Sequence, residues 1–131
     1  NREFKHGYYV EPTIVEGLPT RHPLLKKELF VPILCITEYD KFVNSIRITN
    51  QSEYGLTSGI YSNKKEEILK FLQDIEAGVV YVNRKKSSTT GAVVGRQSFG
   101  GWKDSGTTGK GTGGKYYLTQ FMREQSQTIV K

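Results

Sequence analysis

Short apolar runs rich in β-branched residues alternate along the chain with two stretches of helical period, and this alternation constrains the fold most. Each run is long enough for a strand, and each amphipathic stretch is long enough for a helix. The order predicts an α/β fold with a mostly parallel sheet and right-handed βαβ crossovers. After an edge strand at 8–15, the segments in chain order are 30–36, 40–50, 54–61, 64–76 and 79–83.

Residues that commonly begin and end helices support this order. Asp40 is expected to cap the first helix, and Ser62 or Asn63 the second, because their side chains accept hydrogen bonds from free amides. Gly78 is expected to end the second helix. The run 30–36 shows no alternation of apolar and polar residues, which is typical of a strand buried on both faces.

The pattern stops in a long segment rich in glycine, serine and threonine, at residues 87–114. A connection of this length in a compact domain favours a functional loop. Gly109–Lys115 has the spacing of a phosphate-binding loop, but Tyr116 replaces the metal-binding hydroxyl residue and no buried strand precedes it, so we expect no nucleotide site there. After this loop, 115–121 is expected to be helical, and 120–130 is expected to be a terminal strand that pairs elsewhere.

Composition excludes several classes of protein. The 131 residues are 36% hydrophobic, which is enough for a core, and no apolar run reaches the roughly 18 residues of a membrane span. One cysteine cannot form an internal disulfide, and the N-terminal residues lack the apolar stretch of a signal peptide. We therefore expect a cytoplasmic location and no membrane partner. The net charge of +6 is scattered except at 83–86, which favours a solvated surface over nucleic-acid binding.

The residues with catalytic or ligand-binding chemistry form no complete site. Cys35 lies in an apolar run and is expected to be a buried core residue, while His6 and His22 have no evident partner. Glu28 stands at the entry to a buried strand, where a carboxylate can bind hydroxyl groups as an acidic residue does with a ribose. Because no nucleophile–base pair and no metal spacing is present, the residues alone indicate an α/β module with one glycine-rich loop.

Five segments together resemble the C-terminal part of the aldehyde dehydrogenase superfamily, in its order and spacing over nearly the whole chain. Within the superfamily, Thr90–Gly101 is most similar to the 1-pyrroline-5-carboxylate dehydrogenases, which oxidise L-glutamate γ-semialdehyde to L-glutamate in proline catabolism. The five segments are Gly7–Thr13, Lys27–Pro32, Asn50–Gly59 with its Tyr54-Gly55-Leu56 centre, Gly78–Asn83 and Phe99–Gly106.

The resemblance implies a role for several residues, with NAD as cofactor of the parent enzyme. It places Glu28 on the nicotinamide-ribose hydroxyls and Phe30 beside the nicotinamide, although Val31 replaces the family's usual glycine. It also implies that Gly91 and Ala92 hold the substrate carboxylate through backbone amides, and that Phe99 lines the carbon chain of the aldehyde. The candidate site residues are thus cofactor-binding Glu28 and Phe30, and substrate-binding Gly91, Ala92 and Phe99, with Asn83 holding the loop.

The resemblance further implies that residues 1–114 are part of the catalytic domain, with 87–114 as substrate-anchor loop, and that 115–131 provide a helical turn and an oligomerisation strand for a homo-oligomer. The family's nucleophilic cysteine and general base precede the matched region, so the chain alone is expected to be inactive and to bind NAD weakly. Two alternatives stay open. One is a different aldehyde dehydrogenase, and the other is a non-catalytic α/β interaction module.

Overall fold

A computed structural model describes residues 6–85, 92–93, 95–108 and 110–131. The chain divides into two compact units, residues 1–48 and residues 49–131. The strands form three two-stranded sheets, β1 with β2 and β4 with β5 in parallel and β3 with β6 antiparallel. The elements are β1 (Thr13–Val15), β2 (Ile33–Cys35), α1 (Phe42–Asn50), β3 (Tyr54–Gly55), β4 (Thr57–Ile60), α2 (Lys65–Asp74), β5 (Val79–Val82) and β6 (Trp102–Lys103).

The first unit contains the β1–β2 pair, which is shorter than the sequence predicts. Thr13 lies opposite Ile33, and a 3-10 turn at Pro23–Leu25 lies in the connection between the strands. The prediction that 30–36 is a strand buried on both faces is wrong, because the Leu34 side chain is 58% exposed. Burial on both faces needs a packed layer on each side of the sheet, and the described residues of this unit leave Leu34 uncovered.

Helix α1 begins at Phe42, two residues after the expected cap Asp40. The Asp40 Oδ1 atom accepts a hydrogen bond from the Lys41 amide and another from Asn44 Nδ2, both at 2.7 Å. The hydrogen bond from Asn44, followed by that from the Lys41 amide, lowers the pKa of the Asp40 carboxyl. These contacts favour the ionised side chain next to free amides at the start of the helix.

The second unit contains the predicted βαβ connection, in which α2 lies between the parallel strands β4 and β5. Thr57 pairs with Val79 and Ile60 with Val82, so four residues of each strand are in register. The apolar face of α2 is buried only in part, since Phe71 is 5% exposed whereas Leu69 and Leu72 are 55% and 47% exposed. Phe71 contributes to a core together with the strands. The buried apolar residues of this unit are Ile60, Phe71, Ile75, Ala77, Val79 and Ala92.

The ends of α2 differ from the prediction. Its cap position is Lys64, whose side chain makes no capping bond, while the Ser62 hydroxyl accepts from the Lys64 amide at 3.1 Å and donates to Glu67 at 2.7 Å. The helix ends at Asp74 with Ile75 as cap, so Gly78 does not terminate it. The reason is that side-chain contacts from Asn50, described below, end the helix one turn earlier.

The C-terminal part forms a 3-10 turn at Leu118–Phe121, inside the predicted helical segment. Residues 122–131 are exposed and belong to none of the assigned strands, so pairing of the terminal strand with another chain stays a prediction. Within the described residues, no helix has both the length and the hydropathy to cross a membrane.

Candidate substrate and cofactor site

The two residues implied in cofactor binding lie in the first unit, in the segment between the 3-10 turn and β2. Glu28 is exposed, and the Phe30 ring is 92% exposed. Phe30 has a φ of 52°, a left-handed conformation that is uncommon for a residue with a β-carbon. Such conformations cluster at ligand-binding positions. A carboxylate that can accept hydrogen bonds and an exposed aromatic ring are the groups that a ribose and a flat heterocycle need.

The residues implied in substrate binding lie in the second unit, and Gly91 is outside the described residues. Ala92 is 5% exposed, and the neighbouring Val93 is largely exposed. Hydrogen bonds close the turn that follows, since the Val93 carbonyl accepts from the Arg96 and Gln97 amides and the Val93 amide donates to Gln97 Oε1 at 2.9 Å. The Val93 amide is thus occupied by the Gln97 side chain and is not free to bind an anion.

Phe99 is half-buried and lies next to a cleft of about 380 Å³. Its amide donates to the Thr112 carbonyl at 2.9 Å, which closes the glycine-rich segment into a loop. Ser105 and Tyr117 also line the cleft, so the walls combine hydroxyl groups, glycine backbone and aromatic rings. A cleft of this composition suits a small polar molecule with an aliphatic chain.

Two close approaches of backbone to backbone fix the base of this loop. A β-carbon at Gly78 would overlap the Gly100 carbonyl oxygen. Only glycine at position 78 therefore lets the residue before β5 lie against the loop. A β-carbon at Gly106 would overlap the Gly101 carbonyl in the same way. Gly106 and Gly78 therefore serve close packing at the base of the loop. The absence of a nucleotide site at Gly109–Lys115 stays a prediction, because Gly109 is outside the described residues.

A polar cluster that the sequence does not reveal joins the ends of both helices to β6. Lys103 Nζ donates to the Asn50 carbonyl at 2.6 Å and to the Ser52 carbonyl at 3.0 Å, and it pairs with Glu76 Oε2 at 2.7 Å. The Asn50 side chain donates to the Asp74 carbonyl at 2.7 Å and accepts from the Glu76 amide at 3.0 Å. Asn50 and Lys103 both lie in segments that carry the resemblance. Only the folded structure shows that they are in contact.

The expectation that Asn83 holds the glycine-rich loop stays a prediction, because residues 87–91 at the start of that loop are outside the described residues. The Asn83 side chain donates to the Ser62 carbonyl and accepts from the Ser62 amide, both at 2.9 Å, so it holds the loop after β4. The reason is the parallel pairing of β4 with β5, which brings the ends of the two strands together. In the basic segment, Arg84 is half-buried and its carbonyl accepts from the Tyr61 hydroxyl, while Lys86 is outside the described residues.

Two further candidates lie in the first unit away from any nucleophilic arrangement. Cys35 is half-buried, which corrects the expectation of a buried residue, because β2 is covered incompletely. His22 Nδ1 accepts from the Leu24 amide at 3.2 Å and so caps the 3-10 turn. Among the described residues, no group of three or more His, Cys, Asp or Glu side chains is placed to hold a metal ion.

The family model described as "Aldehyde dehydrogenase family" matches residues 1–127. The chain therefore belongs to the aldehyde dehydrogenase family, and the expected α/β fold of that family is confirmed.

Individual relatives show which members of the family the chain is similar to. The chain is 38% identical over 119 residues to a 1-pyrroline-5-carboxylate dehydrogenase of Staphylococcus haemolyticus, covering 91% of the chain and 22% of that protein. It superposes on a 1-pyrroline-5-carboxylate dehydrogenase from Thermus with bound NAD at a TM-score of 0.78, with 37% identity over 88% of the chain and 22% of that protein. Lactaldehyde dehydrogenase from Escherichia coli gives the same TM-score at 28% identity, over 91% of the chain and 24% of that protein. The chain thus spans about a fifth of the length of the curated relatives it matches.

Proposed function

We propose that this chain is the part of an NAD-dependent aldehyde dehydrogenase that binds the substrate carboxylate and contributes to the nicotinamide site, and that the substrate is L-glutamate γ-semialdehyde. The observation that carries the proposal is the identity of 37–38% to enzymes named 1-pyrroline-5-carboxylate dehydrogenase across nine-tenths of the chain. The closed turn after Ala92 supports it. The alternative to be tested is that the substrate is a different aldehyde, because the chain is also 28% identical to lactaldehyde dehydrogenase from Escherichia coli.

The residues of the first unit fit NAD. The Glu28 carboxylate accepts hydrogen bonds from ribose hydroxyls, and the exposed Phe30 ring packs against the nicotinamide. The left-handed backbone at Phe30 fixes the direction in which the ring points before the cofactor arrives. When bound, NAD supplies the acceptor for the hydride of the aldehyde.

The residues of the second unit hold the substrate. The amides of Gly91 and Ala92 bind the α-carboxylate, because adjacent backbone N–H groups in a turn form a concavity for anions. The hydrogen bonds of Gln97 fix this turn, and buried Ala92 fixes its position on the unit. Phe99 packs against the aliphatic chain and excludes water. The chain thereby orients the aldehyde, and the nucleophile and general base come from outside it.

The proposal includes the domain roles that the resemblance implies. Residues 1–114 belong to the catalytic domain, with 87–114 as substrate anchor, and 115–131 form a helical turn and the strand that pairs in a homo-oligomer. Alone, the chain is inactive and binds NAD weakly, because positioning groups without a nucleophile supply no bond-making chemistry.

Kinetics of the complete gene product test the substrate. With NAD, we expect kcat/KM for L-glutamate γ-semialdehyde to exceed that for propanal or lactaldehyde by about 100-fold or more, since buried amides that bind a carboxylate are left unpaired by an uncharged aldehyde. NADH absorbance measures each rate. Equal or inverted preference would contradict the proposed substrate and favour the alternative.

Variants separate the two substrate contacts. Ala92→Pro removes one amide and is expected to raise KM for the semialdehyde while propanal is still oxidised, and Ala92→Ser is the control that keeps the amide. Phe99→Leu is expected to raise KM for the semialdehyde, with Phe42→Leu in α1 as a control of the same chemistry. If Ala92→Pro affected both aldehydes equally, the carboxylate anchor would lie elsewhere.

A further inference from the structure

The Lys103 ammonium is the point where three separate pieces of the second unit meet. Its three hydrogen-bond donors match three acceptors, the Asn50 carbonyl, the Ser52 carbonyl and the Glu76 carboxylate, at 2.6, 3.0 and 2.7 Å. The Lys103 side chain is only 24% exposed, so these contacts are partly shielded from water. Carbonyls at the C-terminal end of a helix carry partial negative charge, which strengthens the contact with Asn50.

The backbone of Lys103 is in a conformation that needs such support. Its φ of 53° is left-handed, and lysine has no short side chain that hydrogen-bonds locally to stabilise it. This conformation turns the chain back on itself directly after β6, since the Gly106 amide donates to the Lys103 carbonyl and the Ser105 amide to the Trp102 carbonyl, both at 3.1 Å. A left-handed non-glycine residue persists only when its surroundings fix it.

The turn after Lys103 is connected by short contacts to Phe99. Gly106 lies against the Gly101 carbonyl, and the Ser105 hydroxyl accepts from the Gly55 amide at 3.1 Å. Gly100 in turn lies against Gly78 at the start of β5. Because the two glycine contacts join backbone to backbone without space for adjustment, a shift of the turn at Lys103 moves the segment that carries Phe99.

We propose that Lys103 is a positioning residue for substrate binding, which fixes the Phe99 segment by holding its own strained turn against the ends of α1 and α2. The inference rests on the proposed function for its substrate, and on the structure alone for the mechanical link between Lys103 and Phe99. Lys103 touches no reacting group in this account, so its removal affects binding of the aldehyde chain more than the chemical step.

Two kinetic variants of the complete gene product test the proposal. Lys103→Met keeps the length of the side chain and removes the ammonium, and we expect KM for L-glutamate γ-semialdehyde to rise about tenfold while KM for NAD changes less than about twofold. Glu76→Gln removes the charge of the one carboxylate among the three acceptors and should give a smaller rise in KM for the semialdehyde. Lys70→Met is the matched control, because Lys70 forms a surface ion pair with Asp74 at 2.6 Å.

The Lys103→Gly variant distinguishes the effect of the ammonium group from the effect of the left-handed backbone. Glycine relieves the left-handed strain but lacks the anchor, so KM should stay raised as in Lys103→Met. Recovery of the original KM in Lys103→Gly would show that strain alone matters and would overturn the anchoring role. A fall in kcat for the semialdehyde with KM unchanged in Lys103→Met would also overturn it, because that pattern places the effect on the chemical step and not on binding of the aldehyde chain.

Hydrogen exchange distinguishes failure of this inference from failure of the proposed substrate. In Lys103→Met, the amides of Phe99, Ser105 and Gly106 should exchange at least about tenfold faster, whereas the Asn83 amide, bonded to the Ile60 carbonyl at 2.8 Å, should keep its rate. Unchanged exchange at Phe99 would overturn the inference whatever the substrate is. A wild-type enzyme that prefers another aldehyde would refute the substrate and leave the exchange result intact.

Discussion

The βαβ connection and the glycine-rich loop of the second unit are held together in different ways. The β4–α2–β5 connection relies on repeated features, namely a parallel ladder of four residue pairs and a regular helix whose Phe71 side chain is buried. Where the structure describes it, the loop after residue 92 contains one strand of two residues and one isolated bridge, and single contacts fix the rest. A region held by many equivalent contacts tolerates the loss of one of them. In the loop, each contact is made by one particular residue, and no neighbouring contact replaces it.

The two regions therefore differ in role, with the βαβ connection providing stability and the loop providing binding groups. A scaffold of repeated hydrogen bonds and buried apolar surface provides the free energy of folding. Loops that a rigid scaffold holds in place commonly carry binding groups. In this chain, the close approach of Gly78 to Gly100 and the contacts of Lys103 transmit the rigidity of the scaffold to the loop that contains Phe99.

The largest effect is expected from a cavity in the scaffold. Phe71 is 5% exposed, and Phe71→Ala should lower the free energy of opening at the Val79 and Asn83 amides by about 3–5 kcal/mol. Native-state hydrogen exchange of the complete gene product measures it. Leu72→Ala, on an exposed position of the same helix, is the control. A change below about 1 kcal/mol at Phe71 would show that this core does not carry the stability of the scaffold.

A β-carbon at the junction tests the contact between the two regions. Gly78→Ala should cost about 3 kcal/mol, because the added methyl overlaps the Gly100 carbonyl and neither backbone can move freely. Exchange should accelerate at the Phe99 amide as well as at Val79. Val80→Ala, on the exposed side of the same strand, should have little effect. Tolerance of Gly78→Ala would mean that the loop is not fixed at this contact.

Loss of the Asn83 side chain should have a smaller effect, confined to the scaffold. Asn83→Ala removes two hydrogen bonds to Ser62 and places alanine at a φ of 52°, which should cost about 1–2 kcal/mol at the Asn83 amide. We expect KM for the aldehyde to stay unchanged, since both of these hydrogen bonds go to Ser62. An increase in KM would show that Asn83 also holds the substrate loop, as predicted from the sequence.

Acid should produce the smallest effect, at the start of α2. The hydrogen bond from Ser62, followed by that from Lys64, lowers the pKa of the Glu67 carboxyl below its ordinary value. A carboxyl whose pKa is lower in the folded chain contributes stability above the unfolded pKa and loses it as pH falls through the folded pKa. Glu67→Gln should remove this acid dependence of exchange at the first amides of α2, while Glu66→Gln should keep it.

The sequence predicts the scaffold well because its signals are local. The stripe of α2 and the apolar run of β5 specify element type through periodicity, and both are confirmed. Helix ends are predicted less well, because the Asn50 side chain and not Gly78 ends α2 through a contact distant in sequence. The position of Lys103 has no periodic signal, since its role depends on three acceptors from two segments distant in sequence, Asn50 with Ser52 and Glu76.

The candidate site is only partly predictable for the same reason. Glu28 and Phe30 follow from the resemblance, but no pattern of apolar residues indicates the left-handed backbone at Phe30. The buried position of Ala92 likewise depends on packing and not on local propensity. Sequence similarity identifies these residues, and coordinates are needed to show how each is held.

A crystal structure of the complete protein with L-glutamate tests the central claim most directly. The account predicts that the α-carboxylate of glutamate accepts hydrogen bonds from the Gly91 and Ala92 amides at about 2.7–3.2 Å, with the aliphatic chain against the Phe99 ring. A glutamate whose carboxylate is held by side chains elsewhere, with the turn at Ala92 unoccupied, would contradict it.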